Sequence, residues 1–415
     1  MTRISVAIFL RVFLKTSAPQ IIGRTEFIVL MALMFATTAF SIDAMLPGLP
    51  QIAAEISPDV PAHAAWVLTA FIIGLGFGTF FAGPLSDAFG RKPLIYAGCI
   101  IYIAGAIAAW LTSSLEWMLV ARAIQGIGAS GPRIVALAII RDLYEGRQMA
   151  RIVSLSMMIF ILVPAIAPAL GDLIIQAAGW RAIFGFFILF SVATVLWVGL
   201  RLNEPLAVVD RRPIRLPLIF SAVREMLGHR TVFLSIMVQT LVLSMLFMLL
   251  TMIQPIYDVS YDRGDSFPYW FGLIALMSGS ASFLNSLIVT RFGMRAVVTV
   301  TFGMQLALGL ILLILLSRDT GFEFPLFLIW QFGLFSMAGL TVGNLNAIAM
   351  EPMGHIAGMA ASVIGSISTV IGASIASPMS LLFDGTPLPL IAIVCVFCTI
   401  CLLLMQSMNR NEKAS

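Results

Sequence analysis

A chain of 415 residues is long enough for two or three soluble domains, yet 60% of it is hydrophobic and only 11% is charged, against about 25% charged in ordinary globular chains. So little charge cannot clothe a water-facing surface of that size. A soluble protein is excluded, lipid is the solvent, and the formal net charge of +4 has its meaning in where the charges fall.

Residues 1–23 place Arg3, Arg11 and Lys15 on one helical face, which suits a basic amphipathic helix on an anionic membrane surface. A frayed tail is the other reading. A signal peptide is not expected, because Arg11 and Lys15 break the apolar run and no small-residue cleavage site follows. A bilayer core of about 30 Å needs about 20 mostly apolar residues per helix. Twelve segments qualify, at about 27–45, 64–82, 93–111, 117–140, 152–171, 182–200, 232–255, 269–290, 296–316, 325–350, 356–382 and 388–405. Most connections are short. The exception is 201–230, with Arg201, Arg211, Arg212, Arg215, Arg224 and Arg230. It reads as a cytoplasmic linker between six helices at 24–200 and six at 231–415, so the expected fold is an all-α membrane protein of two six-helix bundles.

Basic residues set the orientation. With the N-terminus inside, the cytoplasmic loops collect most of the 24 basic residues, among them Arg24, Arg91, Lys92, Arg141, Arg147, Arg151, Arg291, Arg295, Arg410 and Lys413. The outer loops hold only Arg181, Arg263 and Arg318. Both termini are thus expected in the cytoplasm. Cys99, Cys395, Cys398 and Cys401 lie in apolar runs, and His63, His229 and His355 are scattered, so neither a disulfide framework nor a metal site is implied. A membrane enzyme would need convergent His, Asp or Glu at helix ends, and none appears. Six helices, a basic linker and six more favour a transporter that rocks about a midplane site.

Three ionisable residues stand at bilayer depth, where charge is costly and functional by default. Asp43 lies about 24 Å along the first span, and Arg122 about 8 Å into the fourth from the outer side. They share a depth, and face one another if both helices line a common cavity. Asp43 is the candidate proton carrier, since hydration and a nearby arginine both govern whether a carboxyl group holds its proton. The alternative is that Asp43 only ends the first helix before Pro47. Arg133 follows Arg122 by 11 positions, which leaves about 20° of offset, so both lie on one stripe with Gln125, Gly126 and Ser130 near it. Two readings of Arg133 are open: it lines the cavity and attracts an anionic or zwitterionic substrate, or it snorkels or pairs with an acid such as Glu351. In the second half, Gly339 and Gly343 interrupt the tenth span beside Asn344 and Asn346, making these two the candidate hydrogen-bonders to substrate. Such amides also commonly tie helices together.

The loop after the second span reads Gly83-Pro84-Leu85-Ser86-Asp87-Ala88-Phe89-Gly90-Arg91-Lys92. It resembles the signature loop of the major facilitator superfamily, G-x-L-a-D-x-x-G-R-K, with Arg291-Phe292-Gly293-Met294-Arg295 as a decayed copy in the second half. Arg122-Ala-Ile-Gln125-Gly126, the fifth-span run Pro164-Ala-Ile-Ala-Pro168-Ala-Leu-Gly171 with Gly179-Trp180-Arg181, and Glu351-Pro-Met-Gly354 narrow the resemblance to the Bcr/CflA branch of drug:proton antiporters.

The resemblance implies the major facilitator fold and proton-coupled export of drugs or small amphipathic or anionic metabolites by alternating access. It implies a latch at Gly83, Asp87, Gly90, Arg91 and Lys92, and coupling through Asp43 and Arg122. The expected setting is the bacterial inner membrane. The expected partners are a small molecule, protons and lipid, with no nucleic acid, and the chain is expected to act as a monomer. No enzyme activity and no cofactor are expected, the proton gradient being the driving force. The chain departs from the pattern at Ala167 and Asp172, where glycines usually flank the fifth-span proline motif. Proton-coupled import is the runner-up, and a membrane sensor without flux stands behind it.

Overall fold

A long apolar segment in lipid must satisfy every backbone N–H and C=O internally, and a helix does so within one segment. The computed structural model describes residues 22–412 apart from 215 and 317–320. The amphipathic segment expected over 1–23 lies outside the described residues except for Ile22 and Gly23. Among the described residues there are no strands, and twelve helices are long and apolar enough to cross a membrane. They are α1 (Arg24–Asp43), α2 (Trp66–Phe89), α3 (Arg91–Leu111), α4 (Leu115–Leu143), α5 (Gly146–Ala178) and α6 (Ala182–Arg201), then α7 (Arg230–Pro255), α8 (Phe267–Phe292), α9 (Met294–Leu316), α10 (Glu323–Met350), α11 (Ala357–Met379) and α12 (Leu388–Glu412).

Most helices outrun the apolar segments that announce them; α5 has 33 residues and α4 has 29. The backbone ladder continues past the hydrocarbon at these ends, and α2 does so even through Gly83 and Pro84. Glycines at positive φ make the sharp stops. Gly90 (φ 107°) separates α2 from α3, and Gly293 (φ 82°) separates α8 from α9. The two halves thus repeat one turn at corresponding places.

Helix α4 lies at the centre of the first bundle because glycines let backbones touch. A Cβ on Gly126 would lie 2.0 Å from the carbonyl oxygen of Phe71 in α2, and one on Gly128 would lie 2.3 Å from the amide of Tyr102 in α3. The second bundle uses bulk instead: Tyr257, Phe302, Phe327 and Trp330 are all fully buried. Cys398 packs its thiol 3.8 Å from the Met245 sulfur.

The bundles meet along two seams, α2 with α11 and α5 with α8, which a shift of six helices exchanges. Small residues close both. A Cβ on Gly76 would come within 2.7 Å of Val370, and one on Gly272 within 2.3 Å of the Ala165 carbonyl.

Two local expectations need correction. Helix α10 is not interrupted at Gly339 and Gly343 but runs unbroken to Met350, because Gly339 packs against Ala281 and Ser282 of α8. The linker is not all loop. Residues Leu216–Gly228 form a helix that packs on α7 and α11, burying Ile219, Ala222 and Met226.

The glycine contact yields a stability prediction. Gly126→Val should cost about 3 kcal/mol, because neither backbone can retreat. Gly303→Ala, whose Cβ would meet nothing within 4 Å, should change stability by less than about 0.5 kcal/mol. Thermal unfolding of the purified proteins compares the two.

Candidate functional site

The membrane interior is dry, so each ionisable side chain there must find partners or a water-filled space. Arg122 finds partners. It is fully buried and donates from Nε to the Val67 carbonyl (3.2 Å), from Nη1 to Gln125 Oε1 (2.7 Å) and from Nη2 to the Ser41 carbonyl (2.9 Å). Its guanidinium lies 4.5 Å from the ring centroid of Phe71, with Phe184 and Phe187 at 6.0 and 5.9 Å. Ser41 Oγ and Tyr102 Oη share a hydrogen bond of 2.6 Å. Arg122 therefore ties α4 to α1 and α2 through neutral acceptors and aromatic faces.

Asp43 has no such partners. It is the last residue of α1, is 5% exposed, and makes no hydrogen bond or ion pair. Arg122 grips α1 at Ser41, two residues earlier, so the expected face-to-face pair of Asp43 and Arg122 is absent. Two residues along a helix is about 200° of rotation, which turns the two side chains apart. Nor does Asp43 cap α1: the Ala44 amide turns back to the Phe40 and Ile42 carbonyls. A carboxylate at a helix C-terminus also faces the negative end of the dipole. Beyond Asp43 the chain makes a tight turn over Leu46–Gly48 and resumes as a short helix, Leu49–Ile56. Helix α5 closes against this break. A Cβ on Gly171 would lie 2.1 Å from the Ala44 carbonyl, so the run from Pro164 through Pro168 to Gly171 ends beside the acid.

Arg133 is placed differently again. Trp117, Val120 and Ile124 give α4 an exposed apolar face, at 68%, 47% and 40%. Arg133 follows Ile124 by nine residues, half a turn round, on the opposite side. Its side chain is exposed on the face of α4 turned away from the apolar one, as expected for a residue lining the space between the bundles. It has no hydrogen bond or ion pair, and Glu351 does not reach it.

The other expected binding residues divide. Gln125 and Ser130 do not line a cavity: both are buried. Gln125 is committed to Arg122, and the Ser130 hydroxyl to the Ile127 carbonyl of its own helix at 2.7 Å. Asn344 is also inside, donating from Nδ2 to Asn285 Oδ1 of α8 and to the Leu340 carbonyl, both at 2.8 Å. It ties helices rather than facing a void. Asn346 is half-buried and unbonded, and its neighbour Gly343 faces open space.

The two ends of the molecule differ. At the end away from the basic loops, Trp66 Nε1 donates to the Ser377 carbonyl (3.0 Å) and Thr69 Oγ1 bonds Ser377 Oγ (3.2 Å). Residues 61–65 lie against 380–382 there. That end is closed. Towards the basic end, Ser282, Phe283, Leu284, Ser286 and Leu287 of α8 are all exposed. These positions cover about 200° of the helix, so α8 is open over more than half its circumference there while Asn285 still holds it to α10.

The basic end carries the signature loop. Arg91 is buried and donates from Nη1 to Asp87 (2.5 Å) and Ser86 (2.7 Å), and from Nε to Asp142 of α4 (2.7 Å). Lys92 lies over the Tyr96 ring at 5.9 Å. A Cβ on Gly83 would lie 3.4 Å from Ser362 of α11. Sequence reasoning missed Glu204, just after α6, which accepts the backbone N–H groups of Arg91 (2.8 Å) and Lys92 (2.9 Å). It caps the start of α3 from the linker. An acid more than 100 residues away gives no local signal of this. The decayed copy keeps its glycine turn, but Thr290 stands beside Arg291 where the first loop has its acid.

A model of the Major Facilitator Superfamily matches residues 30–377. The chain is 28% identical over 371 residues to a bicyclomycin resistance protein homolog of Haemophilus influenzae, covering 88% of this chain and 91% of that one. It is 28% identical over 395 residues to the multidrug resistance protein MdtL of Citrobacter koseri, covering 93% and 96%. Among solved structures, a D-xylose-proton symporter superposes with a TM-score of 0.73 at 14% identity, covering 92% of this chain and 96% of that one. At that identity the likeness speaks for the fold alone.

The Glu204 cap is testable. Glu204→Ala should lower stability by about 1–2 kcal/mol by exposing two helix-terminal N–H groups, and should raise labelling of a cysteine placed at Ser86. Unchanged melting and labelling would show the cap to be idle.

Proposed function

The chain belongs to the Major Facilitator Superfamily, and on that premise we propose that it exports drug-like small molecules in exchange for protons by alternating access. The single observation that carries the coupling is Asp43: a carboxyl group at bilayer depth, at a break in α1, with no partner. An unpartnered acid there has no structural use, and it can hold a proton in the dry site and release it when water enters. The relatives named for bicyclomycin and multidrug resistance support the class of cargo.

The positive-inside rule puts the basic end, with both termini, in the cytoplasm. On this reading the protein is an inner-membrane monomer, and the structure is an inward-facing state, sealed outside by Trp66, Thr69 and Ser377. Cargo enters from the cytoplasm while Asp43 gives up its proton. The bundles then rock on the α2–α11 and α5–α8 seams, and the outer side exchanges cargo for a new proton. Arg122 holds α1 one half-turn before the acid, so movement at residues 44–48 turns the carboxylate towards or away from a fixed positive charge. Gly83, Asp87, Gly90, Arg91 and Lys92, joined by Asp142 and Glu204, form the cytoplasmic latch. Arg133 and Asn346 line the binding cavity, and Asn344 braces its wall.

The test is Asp43→Asn in proteoliposomes with a fluorescent pH probe inside. The expected result is that cargo still stabilises the protein against heat while cargo-driven proton movement falls at least about 100-fold. Proton movement at the parental rate would remove Asp43 from the mechanism.

A further inference from the structure

Besides Asp43, the acids of the described residues that belong to the membrane helices stand at their ends. Glu26 pairs with Arg201 (2.6 Å) and Glu55 with Arg181 (2.5 Å). Asp87 and Asp142 hold Arg91. Asp172, at the outer end of α5, bonds Gln176 (2.8 Å). The charged groups that the helices packed on Asp43 bring to its level are Arg122 from α4 and Asp172 from α5. Arg122 therefore shares its level with two acids, Asp43 and Asp172, whereas Arg133, about 16 Å further along α4, has no acid bonded to it. Arg122 is solvated by three protein acceptors, but Arg133 by none.

A guanidinium that lines a cavity without an acceptor is an incomplete site. Five N–H donors face space that only water or a ligand can fill, and the charge of Arg133 is uncompensated by any paired acid. A carboxylate or similar oxyanion completes the hydrogen bonds and the charge balance together. A cationic ligand would meet like charge in a medium of low dielectric.

We propose that the cargo is an organic anion held by Arg133, and that its exchange for one proton is electrogenic. The inference rests on the proton-exchange reading above. The charge count follows from the chemistry: one negative charge leaves and one positive charge enters, so each cycle moves two net charges in the direction that an inside-negative potential favours. A change of 100 mV then shifts the attainable cargo gradient by about three powers of ten. A neutral cargo exchanged for a proton gives about 50-fold, and a monocation gives none.

The experiment uses the full chain in detergent and in proteoliposomes, with small aromatic carboxylates, their amides and the corresponding amines as probes. Carboxylates are expected to raise the melting temperature and compete for the site, with amides and amines at least about tenfold weaker. Arg133→Gln should abolish this preference and Arg133→Lys should keep most of it, each melting as the parent does without ligand. A potassium gradient with valinomycin should accelerate carboxylate export when the inside is negative and slow it when reversed. Equal binding of amides and carboxylates, a preference that survives Arg133→Gln, or exchange indifferent to voltage would overturn the proposal. The two readings fail separately. Protons moving with amides or amines but not carboxylates would sink the anion inference alone, whereas carboxylates bound through Arg133 but moving without protons would sink the coupling and the charge count built on it and leave the anion site standing.

Discussion

Backbone contact among α2, α3 and α4 is the constraint from which the rest of the structure follows. Gly126 brings α4 against the Phe71 carbonyl and Gly128 brings it against Tyr102, so α4 becomes an axle with no slack. Arg122 and Arg133 ride on that axle at fixed heights, about 16 Å apart. In lipid there is no general hydrophobic drive to hold helices together, so close packing of small residues supplies the contact. The inter-bundle seams use the same device at Gly76 and Gly272, where it permits two rigid bodies to roll on each other.

Within this frame, polar groups take three distinct conditions. Arg122 is saturated: every nitrogen has a protein acceptor, and three aromatic rings cover it. It behaves as a structural pin. Amides such as Asn344 with Asn285 and Gln331 with Tyr257 bond across helices, which suits a medium where an unpaired amide is costly. Among the described residues, Asp43 and Arg133 are the interior charges left unpartnered. Some uncharged groups, Gln239 Oε1 and Trp330 Nε1 among them, are also buried without a partner, but an unpaired charge is far more costly in a dry medium, so these two mark where protons and ligands enter.

Much of this was legible beforehand because lipid makes a simple demand. Apolar runs of about 20 residues must be helices, and the basic loops must lie on one side. The resemblance carried by the signature loop pointed to Asp87, Gly90 and Arg91 as parts of one latch, and the fold joins Asp87 to Arg91 beside the turn at Gly90. The errors have a shared cause. Gln125 and Ser130 lie near the Arg122–Arg133 stripe, but periodicity cannot say which neighbour covers a face. Here α2 and α3 close over them, while the side bearing Arg133 opens a turn lower. Gly339 and Gly343 looked like breaks, yet α10 runs through both, with Gly339 packed on Ala281 and Ser282 of α8. Glu204 was invisible because its role is a contact between the linker and a loop met much earlier in the chain.

From the order of residues alone follow the number of spans, the division after the sixth, the side that carries positive charge and the identity of the three deep ionisable groups. Each depends only on local hydropathy and spacing along one helix. Tertiary structure decided which charges are paired, which end is shut and which face of α4 meets a cavity. Those depend on the approach of helices distant in sequence, and a difference of half a turn or a single missing Cβ is enough to turn a pinned side chain into an open one.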